Sequence, residues 1–206
     1  MPSIDPETAM TATDSSPTPP ALPVLEAAAT ATERPEGQAV VAALLAVERQ
    51  VKQQRQTIDA EALVGTWRLR FTAPNKPAYK AGQPSGGGFY MPGLAVASLS
   101  FSRADDQLAI QNQLRVGPLA LRFTGPAKLL PKKNLLAFDF VRLTLLIGGL
   151  SLLSLPLPGR SAKAKTFADT SVGKLPFFAF FAAPGQYIAA RGRGGGLALW
   201  VKADQG

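Results

Sequence analysis

Two residue types that carry much of the chemistry of neutral-pH enzymes are missing from this 206-residue chain, which has no cysteine and no histidine. Without cysteine there are no disulfides, thiolate metal sites or thiol nucleophiles, and cysteine usage gives no sign of the redox compartment. Without histidine there can be no Ser-His-Asp triad, imidazole base or imidazole metal ligand. Charge is scarce too: Asp, Glu, Lys and Arg make up 17% of the residues, against roughly 25% in an average soluble domain. Beyond residue 38 the carboxylates are few and scattered: Glu48, Asp59, Glu61, Asp105, Asp106, Asp139, Asp169 and Asp204. A carboxylate or lysine site is the remaining route to catalysis, and a non-enzyme is expected.

What charge there is divides unevenly. Residues 1–38 hold six acids against Arg34 alone, a balance of −5, so residues 39–206 carry +13 of a net +8. A basic body attracts phosphates or anionic lipid headgroups over about 8–10 Å. Lys128, Lys132, Lys133, Arg160, Lys163, Lys165 and Lys174 gather at expected turns. They are either solvated loop tips or, held on one rim, a docking surface for anionic membrane.

Residues 1–35 are Ala, Thr, Ser, Pro and acid, and bury too little to offset their ordering entropy, so a disordered tail is expected. Transit peptides share the Ser, Thr and Ala but are rich in Arg and poor in acid, the reverse of this segment, and no signal-peptide apolar region is present. Val40, Leu44, Val47 and Val51 then recur at helical spacing, predicting one amphipathic helix over about residues 36–56 within a helical segment 36–64. Packing on the domain is the favoured role, because its apolar residues are small for a membrane-surface helix. Asp59 stands where an N-cap would open a short turn.

From Gly65 onward the punctuation is that of an all-β chain. Trp67 to Phe71, Leu94 to Phe101, Leu108 to Val116, Leu119 to Thr124, Leu135 to Ile147, Leu150 to Leu155, Phe177 to Ala182, Gln186 to Arg191 and Leu197 to Lys202 read as strands. Turns are expected at Gly117-Pro118 and Gly125-Pro126. Eight or nine antiparallel strands in sequence order hide their edges by closing, so residues 65–206 are expected to form a barrel able to hold one small ligand. Candidate lining residues are Phe71, Leu99, Phe101, Leu108, Ile110, Leu119, Leu121, Phe123, Phe138, Phe140 and Phe178, although a one-residue slip of register would turn them outward.

Three segments have competing explanations. Leu143 to Leu155 is too short for a spanning helix and is broken by Gly148-Gly149, so two core strands are expected there, with a membrane-dipping hairpin flanked by Arg142 and Arg160 as the alternative. Ser85 to Gly93 carries Phe89 and Tyr90 among glycines, either a lid or membrane-touching lip or a plainly packed loop. Arg191 to Gly196 is a single short Arg-Gly segment between apolar runs, better read as a hairpin turn with two exposed cations than as an RNA-binding repeat. No nucleic-acid motif is present, and no nucleic-acid partner is expected.

Leu63-Val64-Gly65-Thr66-Trp67-Arg68-Leu69 resembles the "L-x-G-x-W-x-L" opening of the plastid-lipid-associated proteins, or fibrillins (PAP/fibrillin family), relatives of the lipocalins. Tyr187 to Val201, with Arg191-Gly192, resembles that family's last hairpin. An acidic pair usual between the tyrosine and the arginine is replaced here by Ile188-Ala189-Ala190. The resemblance, over about residues 40–203, implies a mainly β, lipocalin-like barrel that binds a carotenoid, prenyl quinone or other lipid and has no obligatory cofactor. It implies a peripheral protein of thylakoid membranes or lipid globules, active in photoprotection or lipid homeostasis. Scaffolding of a photosynthetic complex or a lipid-synthesis enzyme by a filled barrel is the alternative. The lack of a transit peptide points to a cyanobacterial member working in the cytoplasm. Gly65, Trp67, Arg191 and Gly192 would be its structural motif, with Arg191 stacked on Trp67 at the closed end of the barrel.

Overall fold

The computed structural model describes residues 21–104, 107–159 and 167–203. Of the expected docking cations, Arg160, Lys163 and Lys165 lie outside the described residues, as do residues 1–20 of the expected tail. Two helices lead: α1, Ala21–Thr30, and α2, Gly37–Gln54. The second is the helix expected from the Val40–Val51 stripe. The first lies in the stretch whose composition predicts a disordered tail, yet it forms because Leu25, Ala28 and Ala29 find a covered surface, and tertiary burial outweighs weak local propensity. A single turn, Glu61–Leu63, follows, with Asp59 Oδ1 accepting from the Glu61 N–H at 3.2 Å.

The strands in chain order are β1 Gly65–Ala73, β2 Ala78–Lys80, β3 Gln83–Ser85, β4 Phe89–Tyr90, β5 Ala95–Ala104, β6 Gln107–Val116, β7 Leu119–Leu130, β8 Leu135–Phe138, β9 Arg142–Ile147, β10 Leu150–Pro156, β11 Phe177–Ala182, β12 Tyr187–Gly192 and β13 Leu197–Lys202. Pairing runs β7-β6-β5-β1-β13-β12-β11-β8, and β8 returns to β7, so eight antiparallel strands close the barrel that the meander predicts. Closure depends on β7 having two partners. Its first half, Leu119–Thr124, pairs with β9, and its second half, Ala127–Leu130, pairs with β8.

Gly125-Pro126 therefore lies inside a continuous 12-residue strand and is no turn. A Cβ at Gly125 would sit directly on the carbonyl oxygen of Asp139, where the chain passes from β8 to β9. The glycine serves close backbone approach at the point where β7 changes partner. Gly125→Ala is expected to cost about 1–3 kcal/mol, because backbone must move. Urea melts would show this against Gly93→Ala, whose Cβ meets nothing within 4 Å; equal midpoints would disprove it.

Two apolar cores result, on opposite sides of one sheet. Inside the barrel Trp67, Leu99, Phe101, Ile110, Leu136, Phe180 and Ile188 pack together. Outside, α1 and α2 cover Phe71, Ala73, Tyr187, Ala189, Leu197 and Leu199. In β12 and β13 simple alternation sorts residues between the cores: Ile188 and Trp200 go in, Ala189 and Leu199 go out. In β1 a bulge between Leu69 and Phe71 does it, shifting register against β13. Trp67 and Leu69 face inward while Phe71 turns out beneath the helices. Phe71 is thus not a lining residue.

The glycine loop packs on this outer core. A Cβ on Gly37 would come within 2.6 Å of the Gly88 carbonyl oxygen, and one on Gly88 would strike the Phe71 ring. Small residues are what let the start of α2, the loop and Phe71 stack.

Candidate apolar binding surface

Leu143 to Leu155 does form a hairpin turned by Gly148-Gly149, whose φ values are +58° and +87°. It is not core. Every residue of β10 is exposed, with Leu150 at 79% and Leu152 at 66%. The reason is topological: β9 pairs only with the half of β7 that has already left the ring, so β9 and β10 extend the sheet past the barrel wall. With the distal ends of β5, β6 and β7 they form an apron.

Register fixes which residues share its inner face. Val116, Leu119, Ile147 and Leu150 align in one row, Leu114, Leu121, Leu145 and Leu153 in the next, and Phe123, Leu143 and Leu155 in a third. In β5 and β6 this is the face that, nearer the barrel, carries Leu99, Phe101, Leu108 and Ile110 into the interior. The apron face is therefore the barrel lining continued into the open. On the opposite face Arg122 donates to Gln113 (2.9 Å) and Arg142 to Ser154 (3.2 Å), with Ala120 and Leu146 buried among the polar residues.

An aromatic chain joins apron to interior. Phe123 meets Phe140 at 5.6 Å between centroids, Phe140 meets Phe138 at 5.1 Å, and Phe138 stacks on Phe178 at 5.2 Å. Phe178 then reaches Trp200 at 5.5 Å. Such contacts are each worth about 0.5–1.5 kcal/mol beyond the area they bury. Together they make an aromatic path from the apron to the interior, with Asn112 paired beside Phe123 as the polar residue of that row.

No family model matches the chain, and no curated protein matches its sequence. Among solved structures, insecticyanin from the tobacco hornworm Manduca sexta is similar to it, with 9% identity and a TM-score of 0.39 over 71% of this chain. The match covers 64% of insecticyanin, less than two thirds of its length. At that level the likeness says nothing about a ligand, and the barrel stands on its own strand pairing.

The sequence-predicted lining residues separate into groups. Leu99, Phe101, Leu108, Ile110 and Phe138 are buried in the barrel, with Phe140 and Phe178 packed against them. Leu119 and Leu121 lie on the apron, 50% and 40% exposed, because their strand has passed the ring. Phe71 and Tyr90 belong to the helix side. Tyr90 sits edge-on to Phe71, donates to the Pro35 carbonyl at 3.0 Å, and lies under the guanidinium groups of Arg34 and Arg70, so it ties down the α1–α2 linker. Burial raises its hydroxyl pKa, partly offset by those two cations. Phe89, one residue earlier and so on the other face of β4, is 53% exposed. Leu114, Val116, Leu143, Leu145, Ile147 and Leu153 were missed, although their period-2 spacing was there to find.

The cations also differ from expectation. Arg191 does not stack on Trp67; alternation points it outward, where Nε and Nη2 grip both carboxylate oxygens of Glu48 on α2 and Nη1 donates to the Pro77 carbonyl at 3.1 Å. Trp67, 1% exposed, donates to the Leu63 carbonyl at 2.8 Å. Arg193 of the hairpin donates to the carbonyls of Leu175 and Gly173 at 2.7 Å each, so the turn's two arginines are engaged. The Lys128 ammonium is held by three carbonyls, of Phe167, Ala168 and Thr170, and braces a loop instead of facing a membrane. Lys132 and Lys133 are exposed at the barrel end away from the apron. A cleft of 860 Å³ opens at that same end, lined by Ile58, Leu108, Ala127, Leu129 and Phe167 with Arg103 at its edge. Arg103 is paired there with Glu61 at 2.9 Å.

Proposed function

We propose that this chain binds a lipophilic molecule without transforming it, and that it acts as a PAP/fibrillin-type protein at thylakoid membranes or lipid globules of a cyanobacterium. The ligand class is a carotenoid, prenyl quinone or other lipid, in the service of photoprotection or lipid homeostasis. The aromatic path from the apron through Phe123, Phe140 and Phe138 to the barrel interior carries this reading. At about 25 cal/mol per Å² of apolar area, a long tail laid along such a path is held by area and needs no single polar contact. The motif residues Gly65, Trp67, Arg191 and Gly192 support the family, and the absence of histidine and cysteine supports a binding role. No helix among the described residues is long and apolar enough to cross a membrane, which fits a peripheral protein.

Protein purified without detergent and extracted with organic solvent is expected to release a lipophile, identified by absorption and mass spectrometry. Phe89→Asp, at a half-exposed ring on β4 beside Thr72, should lower the amount retained several-fold while stability changes by no more than about 0.5 kcal/mol. An empty extract would sink the carrier and favour a second reading, that the chain is a scaffold for a photosynthetic complex or lipid-synthesis enzyme. That reading has its own support, since Trp67, Phe101, Ile110 and Phe180 already fill the interior.

A further inference from the structure

We infer that the inner face of the apron seats on an anionic lipid bilayer, so that the β9–β10 ribbon and the end of the β6–β7 hairpin form a lipid-docking plate. This rests on the binding role above only in giving the ligand an entry route from the membrane to the barrel. Docking itself stands whether or not the barrel holds anything.

The plate is one-sided. Leu114, Leu119, Ile147, Leu150, Leu153 and Leu155 share its inner face and are each 44% or more exposed. A contiguous patch of this kind marks an interaction site, because scattered leucines are ordinary and a sheet of them is not. Its outer face engages Arg122 with Gln113 and Arg142 with Ser154. The two turns at its rim are tied in line, with the Gly148 N–H donating to the Pro118 carbonyl at 2.8 Å. The plate therefore presents a straight apolar margin.

Charge selects the occupant. The apron part of these strands carries Arg115, Arg122 and Arg142, and the one acid between the start of β6 and the end of β10, Asp139, is 3% exposed. Strands β6, β7, β9 and β10 contain no carboxylate. These arginines stand on the outer face, so an anionic leaflet under the inner face lies within their Debye length of about 8–10 Å and is attracted, whereas a second copy would bring the same positive charge. The unpaired outer edge of β10 limits the depth: backbone groups without partners are costly in hydrocarbon, so the plate rests at the headgroup boundary, roughly 5–10 Å deep.

The test is co-sedimentation of the full chain with phosphatidylcholine vesicles, with and without phosphatidylglycerol. Binding is expected only with the anionic lipid, and it should fall at least tenfold in about 1 M salt, where the Debye length is about 3 Å. Leu150→Asp with Leu153→Asp should reduce it at least tenfold, and because both positions are exposed the melting curve of the double variant should match wild type. As an independent readout, Leu150→Trp should show a blue-shifted emission component on adding anionic vesicles. Equal sedimentation of the double variant, absence of the blue shift, or equal binding to neutral vesicles would overturn the inference. So would a wild-type dimer that the double variant converts to monomer, which would assign the plate to a second copy.

Discussion

Arg191→Leu is expected to destabilise the protein by about 3 kcal/mol, the usual cost of leaving one member of a buried ion pair without its partner. For a chain of this size that is a fall of roughly 6–12 °C in melting temperature. Glu48 is the reason: its side chain is 6% exposed, and Arg191 is 22% exposed and grips both of its oxygens. Lys52, 69% exposed, contacts the same carboxylate at 2.7 Å from one turn away and cannot replace a bidentate guanidinium. Burial pushes the Glu48 pKa up, but the hydrogen bonds and charges of Arg191 and Lys52 outweigh it and hold the carboxyl below its ordinary value.

The sign of the pH dependence follows. A depressed folded pKa means that Glu48 contributes stability above its unfolded value, about 4.3, and that this stability is lost as pH falls through the lower folded value. In Arg191→Leu burial dominates and the carboxyl pKa rises. The gap between wild type and variant should therefore be widest near neutrality and narrow below about pH 4, where the carboxyl takes up its proton. Adding Glu48→Leu should recover most of the loss, since a buried pair replaced by apolar groups is often neutral. Urea melts from pH 3 to pH 7 would measure both effects. A gap independent of pH, or a variant as stable as wild type, would show that the clamp does not hold α2 on the barrel.

Phe138→Ala is expected to cost about 3–5 kcal/mol, the range for emptying an aromatic site in a packed core. Phe138 is 5% exposed and sits between Phe140 and Phe178, at 5.1 Å and 5.2 Å. Its loss would leave a cavity at the point where the apron path enters the barrel. An apolar probe such as decanol should then stabilise the variant by mass action, by about 2.7 kcal/mol at a hundredfold excess over its dissociation constant. Wild type, already filled at that position, should respond less. Thermal melts with and without decanol test both halves. A cost under 1 kcal/mol would mean that the ring is not packed as described, and an equal response of the two proteins would place the probe elsewhere.

Much of the fold was legible in the sequence because turn chemistry and period-2 alternation are local properties. Gly117-Pro118 and Gly148-Gly149 turn the chain where their residue types suggest, with φ of +58° at Gly117. The α2 stripe and the Asp59 cap were legible for the same reason. Gly125-Pro126 misled because the same residue types serve a different need there, close backbone approach at a change of partner. Leu135 to Ile147 was a single apolar run in sequence, but Asp139-Phe140-Val141 carries the chain from one strand partner to another.

The sequence by itself determined what the protein lacks, the catalytic groups that go with histidine and cysteine, and that its later two thirds would be an antiparallel meander. It also specified which residues alternate together, as at Leu143, Leu145 and Ile147. Only the tertiary structure decided which side of each strand is inside. A bulge at Arg70 sends Phe71 outward, a residue 143 positions away makes Glu48 a buried anchor, and the split partnership of β7 strands the leucines of β9 and β10 outside the ring. Hydrophobicity states which side chains would gain by leaving water, and chain closure states how many the barrel can cover. The leucines left over form the surface on which this protein's proposed function depends.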